Sequence, residues 1–354
     1  MTPRALLSER LRSHRLSAPA RSVTDAAAHM LAVQAQDFVA GRWALGIRSS
    51  GSPTLSGVDR AFARGDLVRS WTMRGTLHII PAVDLRWVLS VTGPRQQAQS
   101  ANRRRDLGID EALLERVARE LRVRLADGGR TRGELFEDLA ALGIDPTGQR
   151  GVHILAELCI EGVLVQGPVV ARDGAVAREQ LFVLADAHIT ADARPDDPLA
   201  ELFVRYIDGH GPAGVADFAW WSGLTLTAAR DAVERSRHRV SEVEEGLFVA
   251  ASRPRRARGA DDGCLLALPM FDEFYISYAD RSTVADTEAM RRIGPGKNGM
   301  VRASLVGGGR IVGAWTHSAA VGRHRDAPAA EPFVDLAPEA VAVALQRYSD
   351  FVTG

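Results

Sequence analysis

Residues 131–184 read TRGELFEDLAALGIDPTGQRGVHILAELCIEGVLVQGPVVARDGAVAREQLFVL, and their grammar decides the fold. Leu135, Phe136, Leu139 and Leu142 recur at helical spacing, and the run stops at Gly143 with Pro146 just beyond. Val152, Leu155, Ala156, Cys159 and Ile160 share one face of a second helix that stops at Gly162. Two β-rich runs follow, VLVQ (163–166) and LFVL (181–184), separated by a loop bearing Pro, Gly and Arg. Helix, turn, helix, strand, loop, strand is the order of a winged helix-turn-helix.

The same order recurs on both sides. Downstream, DPLAELFVRYIDGHG (197–211), VADFAWWSGL (215–224) and TLTAARDAVERS (225–236) read as helices, followed by RVSEVE (239–244) and GLFVA (246–250), which turn near Glu245–Gly246. Upstream, helices are expected over Leu6–Arg15, Thr24–Gln36 and Gly57–Arg64, then strands LVRSW (67–71) and TLHII (76–80) joined by TMRG. Near the C-terminus, LLALPMF (265–271), YISYAD (275–280), MVRASLV (300–306) and RIVGAWTH (310–317) read as strands, the last two joined at Gly307–Gly309. The helix PEAVAVALQRYSDFV (338–352) closes the chain. The expected fold is α+β: three tandem winged helix-turn-helix units around a concave basic cleft, plus a small C-terminal β-rich subdomain. The boundaries are 1–105, 106–195, 196–252 and 260–354. A row of such units offers a long concave surface suited to an extended polymer.

Composition sets the frame. In 354 residues, 25% are charged and 46% hydrophobic, which excludes disorder, collagen and coiled coil for the whole chain. No apolar run approaches the roughly 18 residues of a membrane helix. Arginines interrupt the N-terminal MTPRALLSERLRSHRL where a signal peptide is apolar, so a cytoplasmic, non-membrane protein is expected. Cys159 and Cys264, far apart and without CxxC partners, offer neither a zinc site nor a disulfide framework. The zero net charge hides an asymmetry: residues 1–105 hold sixteen arginines against six acids, and the remainder carries the opposite excess. Clustering on a solvated surface and a face for nucleic acid both fit that pattern.

The segment LAVQAQD (31–37) is the most unusual. Ser22 and Asp25 resemble a capping box, so a helix is expected to begin there and to bury Ala27, Met30 and Leu31. On a regular helix Gln34 and Gln36 point about 200° apart. They serve one site only if the helix frays, tightens or ends between them; otherwise they are two polar residues at a helix end, with Asp37 leading into a loop. A glutamine takes no proton at neutral pH, but it can hold a water and turn its carbonyl dipole toward developing positive charge. That suffices only where the leaving group departs easily, as does a purine alkylated at N7.

LAVQAQD, SWTMRGTLHII (70–80), GPAGVADFAWWSGL (211–224), MFDEFYISYADRS (270–282) and NGMVRASLVGGGRIVGAW (298–315) together resemble the AlkZ-type DNA glycosylases, a bacterial winged-helix family. The likeness runs from about residue 20 to 350. The family's catalytic signature is glutamine, hydrophobic residue, glutamine, here Gln34-Ala35-Gln36; a sister branch that resembles YcaQ has aspartate in the second place. The resemblance implies a monofunctional glycosylase acting on N7-alkylated purines in double-stranded DNA. Its substrates would be bulky adducts or interstrand crosslinks from a genotoxic natural product, cleaved in an open cleft. It implies no metal, organic cofactor or protein partner, and a monomer. Alanine is the smallest hydrophobe for the middle position, which raises the possibility of a wider pocket.

Arg74, at the turn of the first wing, is placed to meet backbone phosphates. His78 reads as structural or as a phosphate or catalytic contact. Arg103-Arg104-Arg105 and the loop with Arg253, Arg255, Arg256 and Arg258 read as solvated charge or as DNA clamps. GPGKNG (294–299) lacks the spacing of a phosphate loop and is read as a loop whose Lys297 and Asn298, with Arg302 beyond, touch DNA. Asp272 and Glu273, on an expected strand, would face opposite ways, so a paired-carboxylate site is not expected. Trp220 and Trp221 fit a helix core better than base stacking. The competing reading is a non-catalytic winged-helix transcriptional regulator, which would dimerise on a palindrome.

Overall fold

The computed structural model describes residues 1–172, 175–251, 264–297, 299–316 and 327–354. The N-terminal third comprises α1 (Pro3–Ser13), α2 (Val23–Met30), the two-residue strand β1 (Val33–Gln34), α3 (Phe38–Ile47), α4 (Leu55–Ala63) and the hairpin β2 (Leu67–Met73) and β3 (Thr76–Pro81). Next come α5 (Leu85–Asp106), α6 (Glu111–Arg124), α7 (Arg132–Ala141), α8 (Arg150–Ile160), β4 (Leu164–Val169) and β5 (Gln180–Leu184). The third segment holds α9 (Ala185–His188), α10 (Pro198–His210), α11 (Val215–Ser222), α12 (Leu226–Ser236), β6 (Val240–Glu244) and β7 (Leu247–Ala250). The chain ends with β8 (Leu266–Leu268), α13 (Glu273–Ile276), α14 (Thr287–Ile293), β9 (Ser304–Gly307), β10 (Arg310–Thr316), β11 (Ala329–Pro332) and α15 (Pro338–Thr353). The fold is α+β, as expected.

Local chemistry explains the helix starts. Ser22, Asp37, Thr54, Asp110, Thr131, Asp197 and Thr225 each accept a hydrogen bond from a first-turn amide. The two helices and two strands expected within 131–184 form as α7, α8, β4 and β5, and Thr131 and Glu134 add a capping box. The hairpins then join. One antiparallel sheet runs β1-β3-β2-β4-β5, with Arg69 opposite Gln166 where the first hairpin meets the second. The strands β6 and β7 pair alone, and β11-β10-β9-β8 form a four-stranded sheet.

That last sheet shares a core with the N-terminal helices. Trp43 of α3 donates to the Ala267 carbonyl at 2.8 Å and packs against Tyr348 and Phe351 of α15. Two further cores lie under α10–α12 and within residues 109–182.

Three expectations need correction. The helix expected over 24–36 stops at Met30, because Leu31 adopts φ 62° and Val33 and Gln34 pair with Ile79 and His78 of β3. Strand pairing buries Val33 and satisfies its backbone, and tertiary context overrides helix propensity. YISYAD is not a strand: Asp272 caps α13, accepting from the Phe274 amide at 2.9 Å, and both its oxygens are held by Arg48. The sequence reading also missed α3, α5 and α6. Every residue of α3 is buried, so it has no polar face and hence no periodic signal.

The charge asymmetry also changes meaning. Arg10, Arg42, Arg48 and Arg69 are buried among internal partners, so part of the basic third is scaffold rather than surface. Among the described residues, no helix is long and apolar enough to cross a membrane.

Candidate functional site

Both glutamines leave the helix. Gln34 ends the edge strand β1 opposite His78, and Gln36 lies in the bend before α3, whose cap is Asp37. The obstacle that a helix posed is removed because the helix ends before either residue. Gln34 is 9% exposed, whereas Gln36 is exposed to solvent.

Each amide is oriented by a protein donor. Arg74 Nη2 donates to Gln34 Oε1 at 3.0 Å. The Leu77 amide donates to Gln36 Oε1 at 3.3 Å. Among the described residues, each side chain therefore keeps its NH2 and one carbonyl lone pair for other work. Behind them, Arg69 donates from Nε to the Ala35 carbonyl at 2.9 Å and from Nη2 to the Gln36 carbonyl at 3.4 Å. Its Nη1 reaches Gln166 Oε1 at 2.7 Å, so the second hairpin braces the glutamine segment. Burial pulls the Arg69 guanidinium down to about 10, which leaves it charged at neutral pH.

Ala35 is fully buried and packs on α3 rather than lining a pocket. A Cβ added to Gly41 would lie 2.5 Å from Ala35 Cβ and 3.1 Å from Ile79 Cδ1. The alanine is small because the helix behind it is close, which answers the idea of a wider pocket. Gly41→Ala gains about 0.5–1 kcal/mol of helix propensity but overpacks this contact by roughly 1–3 kcal/mol. A net loss of stability is expected, read by urea denaturation; a stabilised variant would disprove the contact's importance.

Arg74 does not face outward toward phosphates as the sequence suggested. It sits at the β2–β3 turn with φ 55°, and its guanidinium turns inward to the Trp221 carbonyl, Gln34 and, at 3.4 Å, His78 Nε2. Burial lowers its pKa, with Glu273 opposing. His78 is fully buried and so is withdrawn from any phosphate. Its Nδ1 donates to the Thr76 carbonyl at 3.1 Å while Nε2 faces Arg74. Burial and the neighbouring cation hold the ring neutral, with a pKa of about 3.

Glu273 is the residue that sequence reasoning missed. It is 1% exposed, and its Oε1 accepts from the Gln34 amide at 2.6 Å. Burial pushes this carboxyl up, but the His210 imidazole, 3.7 Å away, and Arg74 more than offset that and hold it at about 2. The signal was present: two adjacent acids inside the apolar run LPMFDEFYI must each find buried partners. Asp272 finds Arg48 and Glu273 finds Gln34, so they do not act as a pair.

The other candidates lie apart. Arg103 donates to Gln149 Oε1 at 3.0 Å, Arg104 lies 3.5 Å from Glu157, and Arg105 bonds Asn102, all at the exposed end of α5. A cavity of about 520 Å³ lies between that helix, α8 and the β2–β3 turn, with Arg74, Gly75, Trp71 and His153 in its wall. Lys297 is exposed, while Arg302 pairs with Glu331. Asn298 and the loop of Arg253, Arg255, Arg256 and Arg258 lie outside the described residues. Trp221 is fully buried, as expected of a core residue; Trp220 is half exposed and donates to the Ile276 carbonyl at 2.8 Å.

Known proteins share this architecture. The profile of the family described as "DNA glycosylase AlkZ-like" matches residues 27–351. A Streptomyces sahachiroi protein named interstrand DNA cross-link repair glycosylase is 24% identical over 322 residues, which span 83% of this chain and 82% of that one. The solved structure of Streptomyces sahachiroi DNA glycosylase AlkZ matches with a TM-score of 0.79 at 22% identity, over 99% of this chain and 96% of that chain. That second likeness carries the fold.

Proposed function

The chain belongs to the AlkZ-like DNA glycosylase family, and from that premise we propose that it hydrolyses the N-glycosidic bond of N7-alkylated purines in duplex DNA. Its substrates are bulky adducts or interstrand crosslinks left by a genotoxic natural product; the name of the Streptomyces relative supports the crosslink. The observation that carries the reading is the pair of amides, Gln34 and Gln36, each oriented by one donor and each keeping free polar groups. Family membership favours this over a non-catalytic regulator.

An N7-alkylated purine carries positive charge before cleavage. When the C1′–N9 bond breaks, its electron pair passes to the base, which leaves neutral, and the sugar becomes cationic. The free carbonyl lone pairs of Gln34 and Gln36 stabilise that cation and hold the attacking water. Water oxygen bonds to C1′ and its surplus proton passes to solvent, so no general base is required. Arg103, Arg104, Arg105 and Lys297 grip phosphates, with Asn298 and Arg302 as further contacts, while Arg74 and His78 serve the glutamines. The three winged units at 1–105, 106–195 and 196–252 act as a monomer on the duplex.

The test is base release from a duplex bearing N7-methylguanine and, separately, one bearing a bulky N7 crosslink. Gln34→Ala/Gln36→Ala should slow release about 100-fold or more, with duplex affinity kept, as for the loss of preorganised polar groups at a reacting centre. Undiminished release in that variant would move the chemistry elsewhere.

A further inference from the structure

We propose that Glu273 is the positioning residue of Gln34: a sealed carboxylate that grips the Gln34 backbone and, with Arg74 on the side-chain oxygen, holds the catalytic amide between opposite charges. The inference rests on the glycosylase reading above. Its geometry is specific. Glu273 Oε1 accepts from the Gln34 amide at 2.6 Å, the strand-edge group that no neighbouring β-strand among the described residues satisfies. Glu273 Oε2 accepts from Trp221 Nε1 at 3.2 Å and from Ser277 Oγ, and His210 Nε2 stands 3.7 Å away. Donors from β1, α11 and the residue after α13 thus converge on one side chain, with the imidazole at the end of α10 beside them. Arg74 donates to Gln34 Oε1 and to the Trp221 carbonyl, so acid and guanidinium both contact Gln34 and Trp221.

A buried carboxylate is costly unless it is paired. Asp272, next to it, shows what a structural solution looks like: both oxygens on Arg48 and a helix cap. Glu273 instead gives one whole oxygen to the backbone of the residue that meets the substrate. Being 1% exposed, it touches no substrate itself, and acts through Gln34.

The test is a double-mutant cycle on single-turnover base release, with duplex affinity measured in parallel. Glu273→Gln, nearly isosteric, is expected to slow release about tenfold or more and leave affinity within about twofold. In a Gln34→Ala background the same change should cost less than about twofold, because the residue it acts through is gone. An unchanged rate in the single variant, or equal losses in both backgrounds, overturns the inference. Should Glu273→Gln not fold, Trp221→Phe removes one donor to the carboxylate and carries the same cycle, overturned by the same two results. Release by the native chain is measured first. If there is none from either duplex, the glycosylase reading fails and takes this inference with it. If Gln34→Ala stops release while Glu273→Gln runs at full rate, only the positioning role fails.

Discussion

Between pH 6.5 and pH 4.5 two buried histidines should together withdraw roughly 4–5 kcal/mol of stability, a large part of the roughly 5–15 kcal/mol that folded domains possess. The cause is histidine burial. His78 is held at about 3 by burial and by Arg74, and His29 at about 4 by burial and by Arg15. Both lie below the ordinary value of about 6.5. Between those limits the unfolded chain binds protons that the folded chain refuses, so each histidine tilts the balance toward unfolding by about 1.4 kcal/mol per pH unit. His14, buried with its Nε2 on Tyr278 at 2.8 Å, is lowered too and acts in the same sense. Glu273 adds a later loss: its carboxylate, held at about 2, contributes stability above the usual carboxylate range that disappears as pH falls toward 2. Denaturant midpoints across pH 7 to 4.5 measure this, and a flat profile would contradict it. His29→Gln, which can still meet Ser13 and Arg15, should reduce the slope by one proton.

Asp272→Ala should cost about 3–5 kcal/mol, the usual penalty for stripping one partner from a buried ion pair. Arg48 and Asp272 are both buried and joined through two bonds, at 2.7 and 2.8 Å. Without the carboxylate, the guanidinium keeps only the Ala44 carbonyl at 3.0 Å and a distant His14 nitrogen. The pair ties α3 to the start of α13, so its loss also loosens Glu273 beneath the glutamines. Replacing both partners, as Arg48→Met with Asp272→Leu, should be less harmful than either single change, because no orphaned charge remains. Thermal unfolding of Asp272→Ala, the two single replacements and the double variant decides it; a loss under about 1 kcal/mol in Asp272→Ala would show that water or the neighbours replace the carboxylate.

Much of the fold can be read locally because its causes are local. Thr131, Gly143, Pro146 and Gly162 punctuate two amphipathic helices, and the hairpin after them follows from alternation and turn residues. The closing helix and the glycine turn between β9 and β10 are equally plain, and Gln34-Ala35-Gln36 stands out as a segment by its resemblance alone. By itself the sequence determined these elements, their order and the candidate pair. Only the tertiary structure decided what the pair is attached to. Whether Leu31 ends a helix depends on a β3 partner more than forty residues away, and whether Arg74 faces solvent or Gln34 depends on Trp221 and Glu273, further still. A fully buried α3 carries no polar stripe to mark its period, and an acid pair in an apolar run announces buried partners without naming them. Periodicity and capping act within a few residues, whereas burial, strand pairing and charge compensation are satisfied by whatever the folded chain brings near.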